Sequence, residues 1–227
     1  TNQDDIVAIG STAGLLNTQA GSGQLDGKAG FDVLDYSAFT DTQVVRANLS
    51  TSAVAFDIDN SGTVGDDTEG RETTLTATRT ATRLNAAATT AADGGSGAIA
   101  AGTGSLSAFS SIEGVIGGAA DDVLAGDDNA NLLVGNDGDD LISGGGGNDT
   151  INLAESTASI DNVVFSGGAV SVVAQFAANG TDTINGWGST DTINVAALGD
   201  GTTGAAATAI TAAAAQGALT DDQSIVI

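Results

Sequence analysis

The chain contains no cysteine, histidine, proline or methionine, one tryptophan, one tyrosine and only five cationic side chains. Without cysteine, no disulfide fastens an extracellular fold and no thiolate serves as nucleophile or metal ligand. Without histidine, neither a Ser–His–Asp nor a Cys–His apparatus can be assembled, and the usual zinc ligands are gone. Aromatic residues make up 4%, which leaves few platforms for sugar rings. A carboxylate pair can in principle hydrolyse a glycoside, but most aspartates here belong to a turn pattern. No phosphate-cradling GxxxxGK[ST] loop occurs, because the GGGG run at 144–147 lacks the lysine and the following helix. These absences point away from an enzyme.

Two further absences concern location. No apolar run approaches the about 18 residues that span a bilayer, and no amino-terminal signal-peptide pattern is present. The lack of methionine suggests that the sequence starts inside a longer or processed polypeptide. Charge is lopsided as well, with 29 acidic residues and a net charge of −24. Lys28, Arg46, Arg71, Arg79 and Arg83 all precede residue 84. Such a chain repels nucleic acid and anionic membrane. It favours divalent cations as partners, since the ion-free polypeptide repels itself.

What is present is a repeat. Residues 117–152 read as four units of nine: GGAADDVLA, GDDNANLLV, GNDGDDLIS and GGGGNDTIN. Glycine opens each unit (Gly117, Gly126, Gly135, Gly144), and the eighth place is Leu124, Leu133, Ile142 and Ile151. The sixth place is Asp122, Asn131, Asp140 and Asp149. The first six residues favour turns and positive φ, while the last three favour an extended backbone with one aliphatic on one face. Turn, strand, turn, strand then gives a flattened coil of roughly 18 residues, and successive coils stack as parallel strands. Units one coil apart share an edge, so Asp122 stands over Asp140 and Asn131 over Asp149. Carboxylates stacked about 5 Å apart repel unless a cation lies between them. The turn glycines, Gly117, Gly135, Gly138, Gly144 and Gly147, let backbone carbonyls point into the gap. Carboxylate and carbonyl oxygens together suit Ca²⁺, which takes six to eight such ligands. The Asp122/Asp140 edge is the stronger expected site, because Asn131 supplies only a neutral oxygen opposite Asp149.

This pattern resembles the calcium-binding nonapeptide of the RTX (repeats-in-toxin) family. The frame reappears at 27–35 as GKAGFDVLD, with Asp32 in sixth place. It runs on into DYSAF and an alternating strand, VVRANLS at 44–50. Together with SIEGVIGGAADDVLAG at 111–126, that succession is similar to a recurrent block of large RTX proteins. Two later units, GTDTIN at 180–185 and GWGSTDTIN at 186–194, carry Asp182 and Asp191 in sixth place. They fall on opposite edges, so each needs another partner to hold metal. Trp187 lies in the turn of the second of these units and reads as a packing lid rather than a ligand platform.

The remaining segments are read from local pattern. Asp5 and Val7 fit a degenerate repeat end. Within an insertion at 52–105, FDIDNSGTVGDDTEG offers Asp57 and Asp59 at EF-hand spacing, but Thr68 occupies the place of the bidentate glutamate. The segment reads either as a calcium loop or as a polar hairpin turning at DNSG, with Val54 and Phe56 before it and Val64 after. TLTATRTATRL alternates as one strand with a polar outer side, and Gly94 to Gly104 forms a loop. Residues 160–176 read as a hairpin turning at Ser166–Gly168 that caps the stack, since an uncapped coil invites pairing with another chain. Beyond 195 the sequence is Ala-rich, with a short helix expected over Ala212–Gly217. The terminal SIVI reads as a strand whose pairing partner lies on another chain.

The expected fold class is all-β, a right-handed parallel β-roll with calcium-binding turns, capping hairpins and a short Ala-rich segment near the C-terminus. The expected organisation is an N-terminal β region (1–116), the core roll (117–152), a cap with two further units (153–195) and the Ala-rich end (196–227). The resemblance implies a secreted or cell-surface protein of a Gram-negative-type bacterium, exported by a type I pathway, unfolded at cytosolic calcium and folded outside. Long uninterrupted arrays, as in large cytolysins, are missing. Two functions remain: a calcium-bound surface-layer, filament or matrix protein, or a secretion and folding module of an exported hydrolase, toxin or adhesin. For the first, a homo-oligomer or polymer is expected, with cell-surface polysaccharide as a candidate contact.

Overall fold

The computed structural model describes residues 3–10, 25–56, 64, 73–75, 80–85, 105–107, 109–165, 181–194 and 223–226. Among them there is no helix. The strands in chain order are β1 (Ile6–Ala8), β2 (Val33–Asp35), β3 (Gln43–Asn48), β4 (Val54–Phe56), β5 (Thr73–Leu75), β6 (Thr80–Asn85), β7 (Ser105–Ser107) and β8 (Gly114–Ile116). They continue as β9 (Val123–Ala125), β10 (Leu132–Val134), β11 (Leu141–Ser143), β12 (Thr150–Asn152), β13 (Asn162–Val164), β14 (Thr183–Trp187), β15 (Thr192–Asn194) and β16 (Gln223–Val226). Each nonapeptide thus spends its last three residues as strand and its Gly/Asp/Asn portion as turn.

From β8 to β15 successive strands alternate between two sheets, while β4 and β5 pair apart. One sheet runs β1-β2-β8-β10-β12-β14-β16, the other β15-β13-β11-β9-β3-β6-β7. Leu133 pairs with Ile151, and Leu124 with Ile142, so one coil consumes two units in parallel register. This is the β-roll expected from the nine-residue period. The eighth-place side chains form its interior column: Leu34, Val115, Leu124, Leu133, Ile142, Ile151, Val163 and Ile184 are all fully enclosed. Val45 and Ala47 of β3 join the same core, with Tyr36, Phe39, Phe109, Leu153, Phe165 and Trp187. At about 25 cal/mol per Å² of apolar surface, burial that repeats at every rung accounts for the stacking without long strands.

The rungs extend further than the frame suggests. Val115 and Val163 fill the interior column like any eighth-place residue, so β8 and β13 are rungs too. The first half of the expected 160–176 capping hairpin is therefore a parallel strand, with Leu141 paired to Asn162 and Asn162 to Thr192. Burying Val163 in the column outcompetes a local hairpin. Its second half, the loop at 94–104 and Ala212–Gly217 lie outside the described residues.

Three other expectations are corrected. The alternating run after residue 72 contributes to two sheets, because β5 pairs antiparallel with β4 while β6 pairs antiparallel with β3. Leu75 there packs with Phe56 over Val123, Ala125, Leu141 and Val164, and so roofs the outer face of the second sheet. The DNSG turn expected within the insertion lies outside the described residues. The C-terminal strand finds its partner within the chain: β16 lies antiparallel on β14, Ile225 opposite Ile184. Trp187 ends β14 rather than lying in a turn, and it is buried in the core, as a packing role requires.

Candidate metal centre

The sixth-place residues are what tie rung to rung. Before the second sheet, Val45 N donates to Asp122 Oδ1 (2.7 Å), Asp122 N to Asp140 Oδ1 (2.7 Å), Asp140 N to Asp161 Oδ1 (2.8 Å) and Asp161 N to Asp191 Oδ1 (3.1 Å). Before the first sheet, Asp5 N donates to Asp32 Oδ1 (2.9 Å) and Asp32 N to Glu113 Oε2 (2.8 Å). Asn131 N donates to Asp149 Oδ1 (2.9 Å), and Asp149 N to Asp182 Oδ1 (2.8 Å). Each acid therefore reaches back one coil and accepts a backbone N–H that a turn would otherwise leave without a partner. The expected Asp122-over-Asp140 and Asn131-over-Asp149 pairs are present. Asp182 and Asp191, which lacked partners in the sequence, stack after Asp149 and Asp161.

One oxygen of each carboxylate is thus engaged, and the other decides what the turn can bind. Asp122 Oδ2 accepts from Gly118 N (2.6 Å), and Asp191 Oδ2 from Gly188 N (2.7 Å). Asp32, Asp140, Asp149 and Asp161 each keep a buried Oδ2 with no hydrogen-bond partner. Three of these oxygens lie beside opening glycines: a Cβ on Gly27, Gly135 or Gly144 would overlap Asp32 Oδ2, Asp140 Oδ2 or Asp149 Oδ2. Beside Gly117 stand both Asp122 Oδ2 and the Gly135 carbonyl, and beside Gly126 stand Asn131 Oδ1 and the Gly144 carbonyl. Side-chain and backbone oxygens from neighbouring coils therefore share one small space.

Turn shape follows the residues available. Gly138 (φ 109°) and Gly147 (φ 101°) take the left-handed conformation against the backbone of Ala120 and Asn129 one coil back. At those two places a side chain would be both strained and obstructed. The 117 and 126 units have Ala120 and Asn129 in the corresponding fourth place, outside the left-handed region. Gly117, Gly135, Gly138, Gly144 and Gly147 thus sit in stacked turns as expected. Asp57 and Asp59 lie outside the described residues.

Electrostatics sharpen the picture. Burial raises the Asp122 carboxyl well above its ordinary range, and burial with the Asp122 and Asp161 charges does the same for Asp140. Burial likewise pushes Asp149 to about 7, Asp161 to about 8 and Asp182 to about 6. These acids are held in places where a charge is costly unless countered. The donor set is oxygen throughout, with no nitrogen or sulfur ligand, and unpartnered carboxylate oxygens are already enclosed in it. The residues therefore fit a hard divalent cation of the calcium kind. Asp161 and Glu113 escaped the sequence reading, although an acid two places before a branched aliphatic (Asp161–Val163, Glu113–Val115) marks both.

Fold and site together define a parallel β-roll whose turns are lined by stacked carboxylates. The family model described as RTX calcium-binding nonapeptide repeat (4 copies) matches residues 116–151 and 176–198. These stretches are RTX calcium-binding nonapeptide repeats. No curated protein matches the chain.

Proposed function

We propose that the chain is an exported structural protein that folds when Ca²⁺ enters its turns and then assembles at the cell surface of a Gram-negative-type bacterium. The observation that carries this reading is the set of enclosed, unpartnered carboxylate oxygens on Asp32, Asp140 and Asp149. Asp122, Asn131, Asp140, Asp149 and the carbonyls of Gly135 and Gly144 would hold the ions, with Asp32 and Asp182 serving the outer rungs. Bound calcium supplies the positive charge that the buried acids otherwise obtain only from protons. Because each Oδ1 docks a backbone N–H of the preceding coil, neutralising the same carboxylate at Oδ2 secures two coils at once. In the low calcium of a cytosol the chain stays extended and exportable. Outside, binding to the folded state alone draws it into the roll by mass action.

Assembly is supported by the ends of the stack. No strand lies beyond β1 or β15 among the described residues, and Ile6 of β1 is 69% exposed. Open strand edges of this kind template pairing with another chain. A second reading, a folding module of a larger exported hydrolase, toxin or adhesin, is favoured by β16, which seals one end of the first sheet. Electron microscopy and sedimentation of the purified chain after calcium addition separate the two. Ordered sheets or fibres are expected, whereas a monomer at high concentration in saturating calcium selects the module.

A further inference from the structure

The turn between β12 and β13 is longer than any nonapeptide allows. Leu133 and Ile142 occupy the interior column nine positions apart, whereas Ile151 and Val163 are twelve apart. The enlarged turn carries Glu155, whose carboxylate converges with those of Asp161 and Asp191, one oxygen of each lying within 4.8 Å of the others. Asp161 and Asp191 are 0% and 1% exposed. Glu155 is held in place by its own turn, with Oε1 accepting from Ser159 N (2.9 Å) and Oε2 meeting the Ser159 hydroxyl. Thr190 Oγ1 donates to the Ser159 carbonyl and draws the two turns together.

A cluster of acids alone does not make a site. The independent observation is Asp161, whose Oδ1 accepts from Asp140 N while its Oδ2 is fully enclosed without a partner. No lysine or arginine follows Arg83 in the sequence. Among the described residues, Lys28 pairs with Asp26, while Arg46 and Arg83 belong to β3 and β6, three and four strands from β13 across the second sheet.

We propose that Glu155, Asp161 and Asp191 form a separate Ca²⁺ site that clamps the enlarged turn to the turn preceding β15. It goes beyond the nonapeptide reading, because Glu155 and Asp161 lie outside both stretches matched by the repeat family. All donors are oxygens on two irregular turns, which suits the adaptable coordination of Ca²⁺ better than the strict octahedron of Mg²⁺. Three carboxylates carry more charge than a nonapeptide turn, so this site fills first as calcium rises.

Trp187, the sole tryptophan, directly precedes Gly188, whose N–H holds Asp191. Terbium luminescence excited through Trp187 in the full chain therefore reports on this site, with Tb³⁺ standing in for Ca²⁺. The wild type is expected to show a tight luminescent component that Glu155→Gln weakens about tenfold by removing one of three charges. Glu155 is partly exposed, and the amide still accepts from Ser159, so the variant keeps the fold in excess calcium, as circular dichroism verifies. An unchanged titration of E155Q overturns the site while leaving calcium-triggered folding of the repeats intact. If E155Q does not fold, the wild type alone decides, and the absence of Trp-sensitised emission overturns the proposal. A chain that neither folds with calcium nor binds Tb³⁺ defeats the repeat reading as well.

Discussion

At the scale of single residues, the sixth-place acid does two jobs with two oxygens. Oδ1 ties one coil to the next, and Oδ2 is either satisfied by a turn N–H, as in Asp122, or left free, as in Asp140 and Asp149. The raised pKa values set the pH dependence. A carboxyl raised to about 7 or 8 in Asp149 and Asp161 keeps a proton in the fold that the unfolded chain has already lost. Proton uptake on folding makes the metal-free roll most stable near pH 4, and that stability is lost as pH climbs towards about 8. Calcium affinity runs the other way, rising over the same range because bound ions displace those protons. Far-UV circular dichroism in EDTA should thus show more β signal at about pH 5 than at about pH 8, and the reverse order would contradict the burial argument. Asp140 has Asp122 and Asp161 as charged neighbours, whereas Asp149 has neutral Asn131 on one side. Asp140→Asn should therefore raise the calcium midpoint more than Asp149→Asn, by about tenfold against a few-fold. Equal shifts in a calcium titration would remove the distinction between the two edges.

At the scale of elements, three-residue strands hold together only as a stack. Ile142 stands fully enclosed between Leu124 and Val163 in neighbouring rungs. Ile142→Ala should cost about 2–5 kcal/mol in saturating calcium, whereas exposed Thr150→Ala in β12 should stay within about 0.5 kcal/mol. Chemical denaturation of the two variants checks the contrast; similar losses would mean that the column is not the core. The repeat at 117–152 made this much legible, because glycine, acid and aliphatic recur at fixed places. β13 was hidden because three extra residues break the frame, although its Asp-x-Val survives. The cover formed by β4 and β5 was hidden for another reason. Val54–Phe56 and Thr73–Leu75 are three-residue strands with one or two bulky apolar side chains each, and nothing local specifies which sheet face they cover. The in-chain partner of β16 was equally out of reach, since a four-residue strand does not encode whom it meets.

At the scale of the whole molecule, charge and fold are in conflict until an ion resolves them. A net charge of −24 opposes compaction, and the fold stacks Asp122, Asp140, Asp161 and Asp191 along one edge and Asp149 and Asp182 along the other. Hydrophobic burial along the interior column favours the roll, while the buried carboxylates oppose it at neutral pH. The balance between the two is where a calcium switch acts, and the absence of disulfides leaves no covalent fastening to override it. The most direct measurement is a calcium titration of the full chain from EDTA at neutral pH, followed by far-UV circular dichroism with bound ions counted by mass spectrometry. A cooperative gain of β signal that rises with the number of ions bound is the expected result. A chain equally folded in EDTA and in calcium, with no ions retained, would contradict it.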